Sequence, residues 1–360
     1  MIVEVQSGTG AYPVVVQNGA ISALGTRIEA CVAPTSLFVL TDERVDATHG
    51  TRLREVLSPA DVIRLPVGER HKTLDTAARI LDGLADAGVD RGGALVSFGG
   101  GVVSDLGGFA AAVHLRGIAH VIVPTTLLAQ VDAAIGGKTG VDTPRGKNLV
   151  GAFWAPRLVV SDPELLATLD RDEWINGLAE VVKTALIGDV ALFEKLESRD
   201  GPGHPATADD ALELVTRTAR VKVGLCSDDE LDRGTRQALN LGHTIGHALE
   251  AATGFTRFRH GEAVAIGLAA EAALAERIGL SEVGLAARIA ACLTRLGLPI
   301  AAPGVDASHV RSFLTADKKR VGAQLRFALP RAVGDVELVD LDDPVLIDAV
   351  LSDATSAPTS

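Results

Sequence analysis

Seven short β-branched runs punctuate the first 160 residues, and the helical patterns between several of them constrain the fold more than any other feature. The runs cover residues 2–5, 13–16, 37–40, 62–65, 94–98, 120–123 and 158–160. Strands alternating with helices imply a mostly parallel sheet with helices on both faces. One helical pattern begins after Thr73 and places Leu74, Ala77, Leu81 and Leu84 on a common face. Asp162-Pro163-Glu164 reads as an N-cap with proline at the first helical position, and beyond it helices dominate. At 360 residues the chain is too long for most single cores. The expected organisation is an α/β domain over 1–165, a mainly α-helical domain over 166–352, and a disordered tail over 353–360 made of small polar residues.

Charge and cysteine content narrow the chemistry. A formal charge of −12 disfavours nucleic acid or an acidic membrane as a general partner, so an anionic ligand requires a local cluster of cations. Cys31, Cys226 and Cys292 are widely spaced with no C-x-x-C, which encodes neither a disulfide framework nor a thiolate zinc site and suits a reducing cytoplasm. The start, MIVEVQSGTG, has no basic region ahead of an apolar core, so no signal peptide is expected. The longest uncharged runs fall short of a membrane span.

In a parallel sheet, ligands sit at the carboxyl ends of the strands. Two strand ends suit that role. One run stops at Thr41-Asp42, where a carboxylate can accept from a ribose hydroxyl. Another opens into Gly99-Gly100-Gly101-Val102-Val103-Ser104-Asp105, where glycines between strand and helix let backbone N–H groups approach a pyrophosphate. Glu69, Lys72, Thr125 and Thr126 can complete a nucleotide pocket, although each alone is an ordinary loop residue. From Arg116 onward, Asp132, Lys138, Lys147 and Asn148 stand in segments otherwise nearly free of charge. Isolated cations that follow glycines, as in Gly136-Gly137-Lys138 and Gly146-Lys147, are expected where a backbone closes around an anion.

The stretch LNLGHTIGHALEAATGFTRFRHGE carries three of the nine histidines. His243 and His247 are four apart in a helical pattern running from Arg236 to Ala252, so their rings share a face with Asn240 nearby. His260 follows the Gly254 turn in a loop. Imidazoles converging in this way suit a divalent cation, zinc first; the bland alternative is a set of core or capping histidines. A missing carboxylate ligand is offered by Glu180, which shares a helical face with Lys183 among neighbours too apolar for a surface ion pair. Spacing leaves open whether His247 or His260 joins His243.

Taken together, GGGVVSDLGGF, VHLRGIAHVIVPTTLLAQVDAAIGGKTGVDTPRGKNLVGAF, GLAEVVK, LNLGHTIGHALE and RHGEAVAIG closely resemble the 3-dehydroquinate synthases, a family of sugar phosphate cyclases. The motifs occur in the family's order and span nearly the whole chain. The resemblance implies a nucleotide-binding α/β domain, a helical C-terminal domain, NAD and one Zn2+ (or Co2+) as cofactors, and a cytoplasmic homodimer. It makes Glu180, His243 and His260 the metal ligands and His247 a substrate contact. It places Arg116, Asp132, Lys138, Asn148, Lys183, Lys222, Asp232, Arg236, Asn240, Lys318 and Lys319 around the substrate. It assigns Asp42, Glu69, Lys72, Gly100, Gly101, Asp105, Thr125, Thr126, Lys147 and Thr168 to NAD, with Asp132 and Lys138 shared. Two positions depart from the family pattern: Asp232 stands where Glu is frequent, and Ser104 replaces a frequent Gly. The implied reaction converts 3-deoxy-D-arabino-heptulosonate 7-phosphate to 3-dehydroquinate and phosphate through transient oxidation, elimination, re-reduction and aldol closure. A sister cyclase acting on an amino or sedoheptulose analogue is one alternative, and a polyol dehydrogenase using NAD and a metal is another.

Overall fold

All seven runs are strands of one sheet. The computed structural model describes residues 1–356 except Thr9, Pro59, Pro144, Arg145, Pro205, Ala206 and 322–324, and the side chains of 315–321 lie outside the described set. In chain order the strands are β1 (Ile2–Val5), β2 (Tyr12–Val16), β3 (Leu37–Asp42), β4 (Asp61–Leu65), β5 (Ala94–Gly99), β6 (Ala119–Pro124), β7 (Lys138–Thr143), β8 (Gly146–Phe153), β9 (Leu158–Ser161), β10 (Leu325–Ala332) and β11 (Asp335–Leu341). The main sheet has the order β1-β2-β9-β6-β5-β3-β4. Only β1 and β2 pair antiparallel within it. β3 pairs with β4 on one side and β5 on the other, which makes the β3/β5 boundary the topological switch point.

Both faces of this sheet are covered, and the side chains show it. Every residue of β5 is buried. Phe38, Leu40 and Leu95 belong to one apolar cluster, whereas Val39, Val96 and Phe98 belong to another, as the period of two requires. Thr73 caps helix Leu74–Asp86 by accepting from the Thr76 amide at 3.2 Å. Its buried stripe is Ala77, Ile80 and Leu84, while Leu74 is 48 % exposed. Leu81 is half-buried against the same cluster as expected, and Ile80 joins the stripe, so only the place of Leu74 on it is corrected. The segment expected to close around an anion is an antiparallel hairpin of β7 and β8, with a bulge between Val141 and Thr143.

The chain divides into two compact units, Met1–Trp174 with Pro205–Leu231, and Ile175–His204 with Asp232–Ser360. The expected boundary at 165/166 therefore differs in two ways. Asp162 does cap the turn Pro163–Thr168, but it also accepts from Gly19 N (2.9 Å) and Ile21 N (3.2 Å), which ties that turn into the first unit. Helix Ala208–Asp228 returns to the first unit and packs on β1, burying Leu214, Val215, Ala219 and Val223 along one stripe. A sheet ending in β1 leaves an edge and a face that this helix covers.

In the second unit, helices surround a core containing Leu249, Ile266, Leu274 and Val310, and the β10/β11 hairpin adds Phe327 and Leu329. The expected tail is partly helix: Asp343 caps helix Pro344–Thr355, which buries Ile347, Val350, Leu351 and Ala354. Residues 357–360 lie outside the described set. Among the described residues, no helix is long and apolar enough to cross a membrane.

His120 on β6 is wholly buried, with one ring nitrogen 2.8 Å from Ser97 Oγ and Nδ1 without a partner. Burial pushes its pKa down to about 3. The folded state thus refuses a proton that the unfolded chain accepts near 6.5. The stability this contributes is present above that value and is lost as pH falls towards 3. Thermal unfolding across this window should show His120→Gln losing less stability on acidification than the parent, by on the order of 4 kcal/mol. Parallel profiles would remove His120 as an acid-sensitive group.

Candidate active site

In the first unit, the expected nucleotide residues gather at the carboxyl edge of the sheet. Asp42 ends β3 and caps the next helix, its carboxylate accepting from Val45 N at 2.9 Å. Burial raises its pKa, against the pull of the backbone N–H groups. Helix Gly101–Val113 starts directly after β5 with Gly100 as its N-cap and no side chain bonded there. Its first-turn N–H groups are the donors an anion needs. A Cβ on Gly100 would lie 3.1 Å from Thr126 Cγ2, whereas Gly101 has ordinary room, 3.6 Å to the nearest atom. Ser104, one of the two departures, donates to the Gly100 carbonyl at 3.2 Å and so stays within its helix. Thr125 ends up buried after β6 with its hydroxyl unpartnered. Thr168 lies on the turn after β9, 2.9 Å from His49.

Lys72 is the centre of a polar network beside that edge. Its ammonium is 2.5 Å from Asp105 and donates to Asn148 Oδ1 at 2.6 Å, with Glu69 at 3.9 Å. Lys147 is 3.8 Å from the same Glu69 oxygen. Burial works against the Lys72 cation, but the charges of Asp105 and Glu69 prevail and raise its pKa. Asp142, which the sequence reading passed over, accepts from Asn148 N at 2.9 Å and donates its own N–H to the Lys72 carbonyl at 2.7 Å. The first unit also pairs Lys222, buried on helix Ala208–Asp228, with Asp132 on a π-type turn, through both the carbonyl (2.6 Å) and the carboxylate. Lys138 opens β7 and is exposed.

Backbone strain coincides with this set. Among the described residues six non-glycines have positive φ, and three of them are Arg116, Asn148 and Asp232. Left-handed backbone costs such residues about 1–2 kcal/mol each and persists where surrounding structure imposes it, often at functional positions.

In the second unit, Glu180 is fully buried on helix Arg171–Gly188, with Lys183 Nζ one turn away at 2.5 Å. His243 is the first residue of helix His243–Ala252. The expected helix from Arg236 is broken: Thr235–Asn240 is a 3-10 turn, and Gly242 then reverses the backbone at φ 80. His260 is likewise corrected from loop to first residue of helix His260–Arg277. Both imidazoles direct Nε2 at Glu180 Oε1, His243 from 3.5 Å and His260 from 3.3 Å. His247 is exposed, its ring 5.1 Å from that of His243. Arg236 is buried, and Asn240 is exposed. Asp232 offers its carbonyl to Gln237 at 3.1 Å. Lys318 and Lys319 lie on helix Ala307–Val321, and their side chains fall outside the described residues.

The other ring nitrogens decide what Nε2 can do. His243 Nδ1 is 3.1 Å from the Leu241 carbonyl, which can only accept, so Nδ1 carries the proton and Nε2 a lone pair. Burial, then the Lys183 cation, holds its pKa well below the usual histidine range, keeping it neutral. His260 Nδ1 faces the Glu250 carboxylate at 3.5 Å. Burial opposes a charge on His260, but Glu180 and Glu250 outweigh it and push its pKa up to about 9. Glu180 is held well below the carboxylate range: burial opposes this, and the Lys183 cation, joined by the charge on His260, overcomes it. Neither Glu180 oxygen receives a hydrogen bond of good geometry. A neutral imidazole and a carboxylate thus present lone pairs to each other in a buried site, an arrangement that a cation relieves. The ligand atoms of Glu180, His243 and His260 all lie within 4.8 Å of one another. His247, Glu250 and His260 form a second such group, but it shares His260 with the first.

The chain matches two family models, 3-dehydroquinate synthase N-terminal over residues 62–176 and 3-dehydroquinate synthase C-terminal over residues 177–320. The 3-dehydroquinate synthase of Synechococcus sp. is 43% identical over 339 residues, 92% of each chain. The chain belongs to the 3-dehydroquinate synthase family. Solved cyclases share its fold. A 2-epi-5-epi-valiolone synthase from Streptomyces hygroscopicus subsp. jinggangensis, with NAD+ and Zn2+ bound, has a TM-score of 0.84 at 28% identity, covering 95% of this chain and 96% of that one. A 2-deoxy-scyllo-inosose synthase complexed with carbaglucose-6-phosphate, NAD+ and Co2+ has a TM-score of 0.87 at 25% identity, covering 98% and 100%.

Three residues that support the family's histidines in this chain escaped the sequence reading. Asn176 Oδ1 accepts from Gly261 N at 2.6 Å, tying the start of one helix to another one turn before Glu180. Glu250 faces His260, and Glu271 accepts from Gly242 N at 2.5 Å and Ile245 N at 3.2 Å. Their one sequence signal is a polar residue at a position that helical periodicity assigns to the core. Glycines allow the approach: a Cβ on Gly267 would lie 1.9 Å from the Gly242 carbonyl, and one on Gly246 3.0 Å from the Ala263 carbonyl. Gly267→Ala should therefore part the two helices, costing on the order of 1–3 kcal/mol of stability as overpacking does. Thermal melts with and without added Zn2+ check this. An unchanged melting temperature and undiminished stabilisation by metal would show that the contact yields freely.

Proposed function

We propose that the chain has the activity of its family, converting 3-deoxy-D-arabino-heptulosonate 7-phosphate to 3-dehydroquinate and phosphate with NAD and one divalent cation, as a cytoplasmic homodimer. One observation carries the reading: His243 and His260 aim Nε2 at the same buried Glu180 oxygen, while a carbonyl and a carboxylate occupy their Nδ1 atoms. That is the pattern in which outer-sphere acceptors orient metal-bound imidazoles. Glu180, His243 and His260 would hold Zn2+ or Co2+. The uncapped first turn after Gly100 and the unpartnered Thr125 hydroxyl fit NAD, which Asp42, Glu69, Lys72, Gly101, Asp105, Thr126, Lys147 and Thr168 would help to hold. When bound, the nucleotide supplies a reversible hydride acceptor and the cation a Lewis acid.

The remaining residues bind, orient and handle protons. Arg116, Lys138, Lys183, Lys222 and Arg236 offer charge-assisted hydrogen bonds to a substrate bearing phosphate and carboxylate, which a neutral polyol would not use. Asp132, held by Lys222, and Asn148, held in the left-handed conformation, present fixed polar groups to sugar hydroxyls. Asn240 ends the 3-10 turn before His243, and Asp232 precedes that turn; both offer polar groups to the substrate. His247 is exposed, and its imidazole can carry a proton to and from the reacting sugar.

A phosphate-release assay with the seven-carbon keto acid phosphate tests the reading. Release should need NAD and should stop with a chelator. Steady accumulation of NADH without phosphate release would mark a polyol dehydrogenase, and no release from the keto acid phosphate would sink the proposal. His260→Ala should abolish both zinc retention and turnover; a metal-replete, active variant would take His260 out of the site. Lys138→Ala should weaken transition-state binding by about 1.5–3 kcal/mol, read as kcat/KM. Unchanged kinetics would leave Lys138 merely solvated.

A further inference from the structure

We propose that Glu271 is a positioning residue for metal binding, acting on His243 through the single peptide group that joins Leu241 to Gly242. The inference rests on the reading of Glu180, His243 and His260 as the cation's ligands. That peptide is bonded at both ends. Its N–H, on Gly242, donates to Glu271 Oε2 at 2.5 Å, and its C=O, on Leu241, accepts from His243 Nδ1 at 3.1 Å. Glu271 Oε1 accepts from Ile245 N at 3.2 Å, and the Thr244 N–H also points to this carboxyl. The carboxyl therefore grips the backbone on both sides of the ligand.

The arrangement exists because a local cap is impossible. Gly242 is the N-cap of helix His243–Ala252, at φ 80, and carries no side chain that could accept from the first turn. A Cβ there would also meet Leu268 at 2.8 Å and the Val264 carbonyl at 2.9 Å. The cap comes instead from the neighbouring helix, one turn beyond the close contact at Gly267. Glu271 has no exposed surface, and burial pushes its pKa up to about 8. A residue that served packing alone would be apolar at this depth.

A hydrogen bond accepted from the N–H polarises the whole peptide and strengthens its carbonyl as an acceptor. The carbonyl in turn holds the proton on His243 Nδ1, fixes the ring plane and leaves Nε2 as the more basic donor to a cation. The unit is a carboxyl–peptide–histidine relay to the cation's ligand, with one peptide inserted between the first and last members.

The test is Co2+ binding to the metal-free full-length protein, by calorimetry and by the visible absorption band of the bound ion. Glu271→Gln preserves size but replaces one acceptor with an NH2 that faces a backbone N–H. It should fold, bind Co2+ about tenfold more weakly and shift the band, as loss of outer-sphere support does. Glu271→Asp, with both acceptors on a shorter arm, should recover part of the affinity. A Glu271→Gln protein with parental Co2+ affinity and an unshifted band would overturn the proposal even if its melting temperature fell. A second measurement needs no variant: 15N shifts of His243 in the metal-free parent should show the proton on Nδ1, and a proton on Nε2 would overturn the proposal equally. His243→Ala separates the two layers. If it binds Co2+ like the parent, the ligand assignment itself fails; if only Glu271→Gln does, the relay alone fails.

Discussion

Two helices begin with histidine and lie closer together than any side chain would permit, and the second unit's chemistry depends on that approach. His243 and His260 are first residues of their helices, so both rings leave the backbone where N–H groups have no partner within the helix. Gly242, Gly246 and Gly267 remove the side chains that would hold the helices apart. The orphan N–H groups are then met by neighbours: Glu271 serves one helix and Asn176 the other. These contacts are buried polar bonds, whose loss costs more than the bonds themselves contribute.

Electrostatics in that unit is organised around one carboxylate. Glu180 is buried, yet the Lys183 cation and the charge on His260 keep it ionised. A proton on His260 offsets part of that charge, and a divalent cation would replace it, since metal binding to such a site releases protons. In the first unit, Lys72 plays the corresponding part among Asp105, Glu69 and Asn148. In a chain of net charge −12, Lys72, Lys183 and Lys222 are each held by a named acid. A screened surface pair would contribute little; here the Lys72 and Lys183 ammonium groups are buried, so their pairs set geometry.

The strands were legible because their signal is local. β-branched runs and intervening helical periods marked all seven members of the main sheet, and the glycine turn after β5 fell at the strand end where parallel sheets bind ligands. The β7/β8 hairpin was not legible, since glycines interrupt its alternation and its bulge and left-handed Asn148 follow from pairing. Helix Ala208–Asp228 was visible as a helix, but its membership of the first unit was not. That depends on which face of the sheet remains to be covered.

By itself the sequence determined the fold class, the strand positions, and a short list of polar residues in apolar segments that included Glu180, His243, His247 and His260. Residue spacing could not choose between His247 and His260, and the resemblance to a family was needed to do so. The tertiary structure decided the directions of the ring nitrogens, the break at Gly242 and the supporting roles of Asn176, Glu250 and Glu271. The physical reason is range. Periodicity and turn chemistry act over a few neighbouring residues, whereas a hydrogen bond from Glu271 to Gly242, or from Gly261 to Asn176, forms only after helices distant in the chain have packed.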